Sequence, residues 1–174
     1  MRWEDLDQQP CSLARTLAVI GDRWTLLILR DCFLGIRRFD QFEARLGVTR
    51  HILTDRLKKL VEYGVLIKVP YQQRPRREEY RLTEKGLELH PVLIGLVHWG
   101  DRHMADERGA PVLHVHKGCG QVMRPVLVCS ECAEPVTAKD IRVEAGPGWL
   151  DAGVLPDKQG KAWEMPRTVD RPKR

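Results

Sequence analysis

The chain has 174 residues, which suits one domain with an appendage or two small units and is enough to bury a hydrophobic core. Its net charge of +5 and sequence pI of about 9.1 permit a polyanionic partner without requiring one. No stretch approaches the ~20 apolar residues of a membrane span, and the polar, acidic start of the chain is unlike a signal peptide. We therefore expect a cytoplasmic protein with no membrane partner, in which the five cysteines are thiols or metal ligands rather than disulfides.

Three helices are predicted after a loose arm that ends at Pro10. Cys11 and Ser12 open the first helix, whose Leu13, Leu17 and Ile20 share one face. A second helix, Arg23–Cys32, is capped by Asp22 and is apolar nearly all round, as is usual for the buried centre of a small domain. Gly35 stops that helix, and a third runs from Phe39 to Leu46, preceded by two arginines that could touch phosphate or simply be solvated, Arg37 and Arg38.

A tight turn then leads into a fourth helix. Gly47 ends the third helix because a residue without Cβ accepts the left-handed backbone that such a stop needs, and Thr49 is a plausible N-cap. The fourth helix, at about 49–63, has an apolar stripe of Leu53, Leu57, Leu60 and Val61. Its other face has the donors and acceptors of a recognition helix, although an ordinary amphipathic helix could look the same: Thr49, Arg50, His51, Thr54, Asp55 and Lys58.

A basic hairpin follows and favours nucleic-acid binding. Residues 65–69 and 79–82 read as two short strands, and we expect two prolines between them to hold the tip open and unpaired. The tip, at about 70–79, carries Arg74, Arg76 and Arg77. Helix and hairpin together predict a winged helix-turn-helix, with one helix in the major groove of DNA and a wing on the backbone or minor groove.

A long helix is predicted from residue 83 to about 105. Thr83 is a natural N-cap, and Pro91 should kink the helix or cost it a hydrogen bond. Its broad apolar face suggests a partner and consists of Leu89, Val92, Leu93, Leu96, Val97 and Trp99.

The segments GDRWTLLILR, RRFDQF, ILTDRLKKL, EYRLTEKG and PVL…WG occur in this order between Cys11 and Gly100. This part of the chain resembles the HxlR-type transcriptional regulators, winged-helix relatives of the MarR proteins. The resemblance implies a homodimer that binds double-stranded DNA at a pseudo-palindromic operator, with the candidate residues of the fourth helix on base edges or phosphates and the three arginines forming the wing. No enzymatic activity is expected.

Cys11 is a possible sensor in this resemblance. Several members of the family carry a cysteine just before the first helix and use it to sense electrophiles or oxidants. The dipole at a helix N-terminus also favours the thiolate form. The alternative is an inert small residue in an interface. Cys32, at the end of an apolar helix, is expected to be part of the core.

The composition changes after a hinge at residues 108–111. His116-x2-Cys119 is followed, after nine intervening residues, by Cys129-x2-Cys132, and two such pairs of ligands are typical of a tetrahedral Cys3His zinc site. His114 is a second candidate for the histidine ligand. With four protein ligands the zinc would be structural, and it would supply folding free energy to a segment without a core. The alternatives are a β-hairpin with incidental thiols, or a thiol redox protein that uses Cys129 and Cys132, although no βαβ pattern surrounds this pair.

The prediction is therefore an α+β chain in three parts. Residues 1–107 form the winged helix-turn-helix domain, mainly α with a β-hairpin wing, which binds DNA and dimerises. Residues 112–145 form a small zinc-ribbon-like β unit, and residues 146–174 form a mostly irregular tail. The effector that would release DNA, a small molecule or an electrophile, is not specified by the sequence.

Overall fold

The computed structural model describes residue 7, residues 11–144 and residues 146–150. Four helices come first: α1 (Ser12–Ile20), α2 (Arg23–Phe33), α3 (Phe39–Leu46) and α4 (Arg50–Glu62). A hairpin of β1 (Leu66–Gln73) and β2 (Arg76–Leu82) follows, and then α5 (Glu84–Leu87), α6 (His90–Met104) and α7 (Pro147–Leu150). No helix in the described part of the chain is long and apolar enough to cross a membrane.

By its internal contacts the chain divides into Met1–Pro125 and Val126–Arg174. The boundary predicted from composition, between residues 107 and 112, stays a prediction. Most of the predicted N-terminal arm, and the predicted tail beyond residue 150, lie outside the described residues; α7 is a short helical turn where an irregular tail was expected.

The core of the first unit is built by α2, α3, α4 and the start of the hairpin. Burial of these apolar side chains stabilises the unit, at roughly 25 cal/mol per Å² of apolar surface. The predicted stripe of α4 is confirmed, because its three leucines are fully buried and Val61 is partly buried. The side chains with no exposed surface are Ile28, Leu29, Phe42, Leu53, Leu57 and Leu60, together with two polar ones at or below 1%, Thr25 and Asp31.

The ends of these helices follow the predicted caps. The Asp22 carboxylate accepts hydrogen bonds from the backbone N–H groups of Trp24 and Thr25 at the start of α2. The Thr49 hydroxyl accepts one from Ile52 at the start of α4. Gly47 closes α3 in the left-handed conformation, with φ of 61°. These caps place the three-residue turn 47–49 between α3 and α4.

The expectation of an open hairpin tip is wrong. The antiparallel pairing of β1 with β2 continues to Gln73 and Arg76, which leaves only Arg74 and Pro75 in the turn. An irregularity in the register between Pro70 and Gln72 lets the proline, which has no N–H, fit into the strand. The two strands therefore pair through most of residues 70–79, which were predicted to form an open tip.

The predicted long helix after Thr83 is broken into α5 and α6. Thr83 caps α5 through a hydrogen bond from the Gly86 N–H, as expected. Residues 88 and 89 then form a turn, and Pro91 lies in the first turn of α6, where its missing N–H costs no hydrogen bond. The proline thus begins a new helix instead of kinking a continuous one.

Residues 105–144 consist of turns, and the expected β unit is reduced to isolated bridges. Val115 pairs with Val122 in the first unit, and Val128 pairs with Pro135 in the second. Within the described residues, this segment contains no strand longer than a bridge.

Candidate nucleic-acid interface

The ten side chains predicted to bind DNA are all exposed in the first unit. They come from three places: the residues before α3, the polar side of α4 with its N-cap, and the turn of the hairpin with the start of β2. Exposure is necessary for contact with phosphates and base edges, and the core takes none of them. They are Arg37, Arg38, Thr49, Arg50, His51, Thr54, Lys58, Arg74, Arg76 and Arg77.

Helix α4 presents its polar side away from the core. Successive residues are rotated by roughly 100° around the helix axis, so Arg50, Thr54 and Lys58 follow one line and His51 lies beside it. The core side of the same helix is made by the buried leucines. The buried Val48 side chain, 7% exposed, anchors the turn before α4 and so fixes the direction in which the helix starts.

Weak ion pairs hold the polar side chains of α4 in the absence of DNA. Arg50 donates a hydrogen bond to the Glu43 carboxylate of α3 at 2.9 Å, and its guanidinium lies 4.9 Å from the Phe39 ring centre. His51 contacts Asp55 at 3.4 Å. These pairs are largely exposed and contribute little to stability, so a phosphate or a base can replace the carboxylate at low cost.

The wing carries two arginines without a carboxylate partner. Among the described residues, Arg74 and Arg77 form no ion pair, whereas Arg76 donates to Glu78 at 2.7 Å. All three lie at the two-residue turn or directly after it. This is a compact cationic tip, which suits a polyanionic backbone.

The wing is fastened to the start of α3. The backbone N–H of Tyr80 donates to the carbonyl of Arg37 at 2.8 Å, and the Tyr80 ring meets the edge of Phe42 with centroids 6.5 Å apart. Burial raises the pKa of the Tyr80 hydroxyl, and nearby Glu78 adds to the effect. The Arg38 guanidinium lies 4.3 Å from the Tyr71 ring centre. These contacts join the wing directly to the residues at the start of α3.

Three residues that hold the helices and the wing of this unit in place were not anticipated from the sequence. Gln41 accepts hydrogen bonds from the backbone N–H groups before α3, including that of Arg38 at 3.1 Å. Tyr71 stacks on Arg38, and Arg56 donates to the Asp22 carboxylate at 2.8 Å, joining α4 to the start of α2. Gln three residues after a cap position is a recognisable signal, but the other two contacts join distant segments and leave no local pattern.

Two turns after α6 share one local geometry. In the first unit, His116 and Cys119 flank a turn in which the Gly120 N–H donates to the His116 carbonyl, and Gly120 has φ of 69°. In the second unit, Cys129 and Cys132 flank a turn in which Ala133 occupies the equivalent position, with φ of 59°. The left-handed conformation of Gly120 and of Ala133 lets the backbone fold back, so that the two candidate ligands of each turn lie on the same side of it.

The two candidate metal ligands of each turn lie close together. His116 Nδ1 lies 3.3 Å from Cys119 Sγ. Hydrogen bonds from the backbone N–H groups of Cys132 and Glu131, and from the Cys132 side chain, hold the pKa of the Cys129 thiol below its ordinary value. In the described ranges, no group of three or more His, Cys, Asp or Glu side chains is gathered as a metal-binding set.

The two remaining cysteines differ in environment. Cys11 is exposed at the N-cap position of α1, and Cys32 is partly buried against the core. Burial, with the neighbouring charge of Asp31 as a smaller cause, raises the pKa of the Cys32 thiol to about 12. The expectation that Cys32 is part of the core is confirmed, because its partly buried side chain packs against the buried cluster.

Comparison with known proteins also indicates a helix-turn-helix transcriptional regulator. Residues 19–108 match the family model described as HxlR-like helix-turn-helix. The uncharacterized HTH-type transcriptional regulator Rv3095 of Mycobacterium tuberculosis is 44% identical over 138 residues, which is 79% of this chain and 87% of the relative. The crystal structure of PA1607, a candidate transcription factor, superposes with a TM-score of 0.72 at 38% identity and covers 80% of this chain and 98% of its own. The oxidized form of the redox regulator HypR superposes with a TM-score of 0.51 at 31% identity, over 55% of this chain and 100% of its own.

Proposed function

This chain belongs to the HxlR-like helix-turn-helix family of transcriptional regulators, and we propose that it acts as a homodimer that binds a pseudo-palindromic operator. The observation that carries the proposal is that all ten predicted DNA contacts are exposed, on three elements that are joined by direct contacts between the wing and the start of α3 and between α3 and α4. Helix α4 would lie in the major groove, and the wing would lie on the backbone or in the minor groove.

The proposed contacts divide into two kinds. The arginines of the wing and of the start of α3 have long cationic side chains that can reach the phosphate backbone. They attract any duplex, because they neutralise phosphates whatever the base sequence. Thr54, on the polar line of α4, is short, so it can only contact a base that the helix brings close. Base selection is therefore assigned to α4, and most of the sequence-independent affinity to the wing.

Dimerisation is proposed from large apolar side chains that remain about half exposed or more in the described chain. On α6, Val92, Leu96 and Trp99 recur at spacings of four and three residues and are 47%, 52% and 60% exposed. On α1, Leu13 is 66% exposed. Helical stripes of this kind on both ends of a small DNA-binding unit suit a second copy of the chain, which would supply the second recognition helix.

Two substitutions test the division between affinity and specificity. Arg76→Ala should weaken binding to all duplexes and lower the salt slope by about 1, because one phosphate contact is lost. Thr54→Ala should relax preference at one base pair. Fluorescence anisotropy on DNA upstream of the gene, with a salt series, measures both. Arg15→Ala, which removes an exposed cation on α1, is the matched control. If neither interface variant alters binding, the groove assignment is wrong.

For the extension, we propose structural zinc bound by His116, Cys119, Cys129 and Cys132. Each pair supplies two donors from one turn of the same geometry, and thiolate and imidazole are ligands that zinc prefers. Gly118 also supports this proposal, because a Cβ at that position would approach the His116 ring to 2.9 Å. Bound zinc would stabilise a segment in which most side chains are exposed.

Metal analysis of the purified protein separates this proposal from a thiol redox function of Cys129 and Cys132. We expect one zinc per chain, lost in Cys129→Ser, and no reduction of insulin disulfides. A metal-free protein that turns over insulin would support the redox alternative instead, since the lowered pKa of Cys129 suits either chemistry.

Cys11 is proposed as a redox-sensitive trigger. It is exposed and begins α1, the helix that also carries the uncovered Leu13. Modification of its thiol would alter the surface assigned to dimerisation. Treatment with diamide should weaken DNA binding of the wild type and leave Cys11→Ser unaffected; equal loss in both proteins would exclude Cys11 as the trigger.

A further inference from the structure

A cavity lies between the end of α6 and the segment 110–125. One wall is formed by the last turns of α6, and the other by residues 110–114 and 122–125, all within the first unit. Its volume of about 720 Å³ is that of a small-molecule site. None of the ten predicted DNA contacts lines the cavity, so contact with DNA does not account for it.

Backbone hydrogen bonds hold the wall opposite α6. Val115 and Val122 form an antiparallel bridge, and the N–H of Met123 donates to the carbonyl of His114 at 2.8 Å. Val122, Met123 and His114 all line the cavity. The two stretches of this wall are therefore joined to each other and present their side chains together.

Most of this wall is aliphatic. Val112, Leu113 and Val122 are 47%, 65% and 60% exposed, and Met123 is partly buried. Apolar surface of this kind is stabilised when a ligand removes it from water, and flexible aliphatic side chains fit an aliphatic chain as well as a ring. The wall therefore favours a ligand with an extended hydrocarbon part.

The α6 wall contains a polar atom without a partner. Nε2 of His98 is buried and has no hydrogen-bond partner among the described residues. The His98 ring lies 5.7 Å, centre to centre, from the ring of His114 on the other wall. An unpaired buried polar group is unfavourable, so a ligand oxygen at Nε2 would gain a hydrogen bond that the described chain does not supply.

The charges at the cavity favour an anion. Arg102, one turn after His98 on α6, and Arg124 on the opposite wall line it together with one carboxylate, Asp101. The ion pairs in the described chain after Gly100 join other residues, so both guanidiniums lack a carboxylate partner there. Two cations and an unpaired imidazole beside a single acid match a ligand carboxylate.

We propose that this cavity binds a medium-chain aliphatic carboxylate, such as a free fatty acid. The ligand carboxylate accepts hydrogen bonds from Nε2 of His98 and from the guanidiniums of Arg102 and Arg124. Its hydrocarbon chain lies against Leu113 and Val122. Binding is non-covalent, and it does not rest on the proposed recognition of DNA, since no residue of the cavity is assigned to that surface.

The test is isothermal titration calorimetry of the full-length protein with sodium octanoate, without DNA. We expect saturable binding. Uncharged octanamide should bind about tenfold more weakly, because charge-assisted hydrogen bonds are lost. Butyrate, which has the same carboxylate and a shorter chain, should also bind about tenfold more weakly or worse, because it covers less of the apolar wall.

Three variants locate the binding. Arg124→Gln and His98→Leu, one on each wall, should each weaken octanoate binding by about tenfold. Lys117→Gln removes an exposed cation from the same segment outside the lining, and should bind octanoate as the wild type does. Circular dichroism of each variant checks that it is folded, and exposed Arg124 keeps the test decisive if His98→Leu does not fold.

The absence of saturable octanoate binding would overturn the proposal, and it is the result expected if a second copy of the chain covers the cavity through nearby Trp99. Equal affinities for octanoate and octanamide, or an equal loss in Arg124→Gln and Lys117→Gln, would also overturn it. Failure of the proposed function is distinguishable, because it would appear as absent DNA binding and would leave the octanoate titration unchanged.

Discussion

At the residue scale, two carboxylates organise the charges of the DNA-binding unit. Asp31 is fully buried in α2 and contacts Arg30 at 2.9 Å and Arg45 at 3.3 Å, so the core contains a paired charge where the sequence suggested an apolar helix. Asp22 caps α2 and holds Arg56. A buried acid without such partners would be costly, and its partners come from α2 itself and from α3, 14 residues away. This long-range pairing is why the burial of Asp31 could not be predicted.

Removal of the Asp22 carboxylate should destabilise the unit. Asp22→Ala deletes two capping hydrogen bonds and the partner of Arg56, and we expect a loss of about 1–2 kcal/mol in the free energy of unfolding. Urea titration of the two proteins at pH 7 measures it. Glu62→Ala, which breaks only the exposed contact with Lys58, is the control and should change stability by less than about 0.5 kcal/mol. Equal effects of the two substitutions would contradict the cap assignment.

The same substitution has a defined pH dependence. Partial burial raises the pKa of Asp22, but hydrogen bonds from Arg56, Thr25 and Trp24 outweigh it, and the folded-state pKa lies below the ordinary 3.8. Because the folded pKa is lowered, the stabilisation is complete above about pH 3.8 and is lost as pH falls through the folded pKa. The stability difference between wild type and Asp22→Ala should therefore be constant near neutrality and shrink only in strong acid. A difference that varies between pH 5 and 8 would contradict this origin.

At the element scale, local signals located the helices and missed the pairing of the hairpin. Asp22, Gly47, Thr49 and Thr83 each marked a helix end where the structure has one, because a cap depends on a few adjacent residues. The hairpin was expected to open at its prolines, yet pairing reaches Gln73 and Arg76. An irregularity in strand register accommodates Pro70, and such an irregularity depends on both strands rather than on either sequence.

Substitutions at two glycines test the close packing of α5 against the start of the hairpin. Gly86 is buried, and a Cβ there would overlap the carbonyl oxygen of Val65. Gly86→Ala should therefore push α5 away from the hairpin and destabilise the protein by roughly 1–3 kcal/mol. Gly95 in α6 has no atom of the described residues near its added Cβ, so within one copy of the chain Gly95→Ala should be neutral or stabilising by about 0.5–1 kcal/mol. Thermal unfolding compares them, and a Gly86→Ala protein as stable as Gly95→Ala would refute the close contact.

At the scale of the whole molecule, the proposed regulator needs two copies of the DNA-binding unit. The apolar stripe of Val92, Leu96 and Trp99 on α6 was visible as a broad apolar face in the sequence, and the structure leaves it largely uncovered by the described residues. What the sequence could not show is the break before His90, which makes α6 a separate helix. Contact with DNA alone does not explain the turns of His116–Cys119 and Cys129–Cys132, for which we propose zinc. Nor does it explain the α6 stripe, for which we propose a second copy of the chain.

A charge on the α6 stripe should separate the copies. Leu96→Glu would place a carboxylate in an apolar contact, which is unfavourable without a partner. Sedimentation velocity should then show a monomer, and fluorescence anisotropy should show weaker DNA binding. Leu34→Glu alters a similarly exposed leucine, 54% against 52%, after α2, and should remain dimeric. A monomeric wild type, or a Leu96→Glu dimer, would show that α6 is not the interface.

The most direct measurement is selection of bound sequences from a random duplex library by the full-length protein. A dimer with two copies of α4 in successive major grooves should enrich inverted half-sites whose centres lie about 10 base pairs, or a multiple, apart. Enrichment of such repeats would establish sequence-specific recognition by a symmetric dimer. Recovery of unenriched sequences, or of a single site without an inverted partner, would contradict the account.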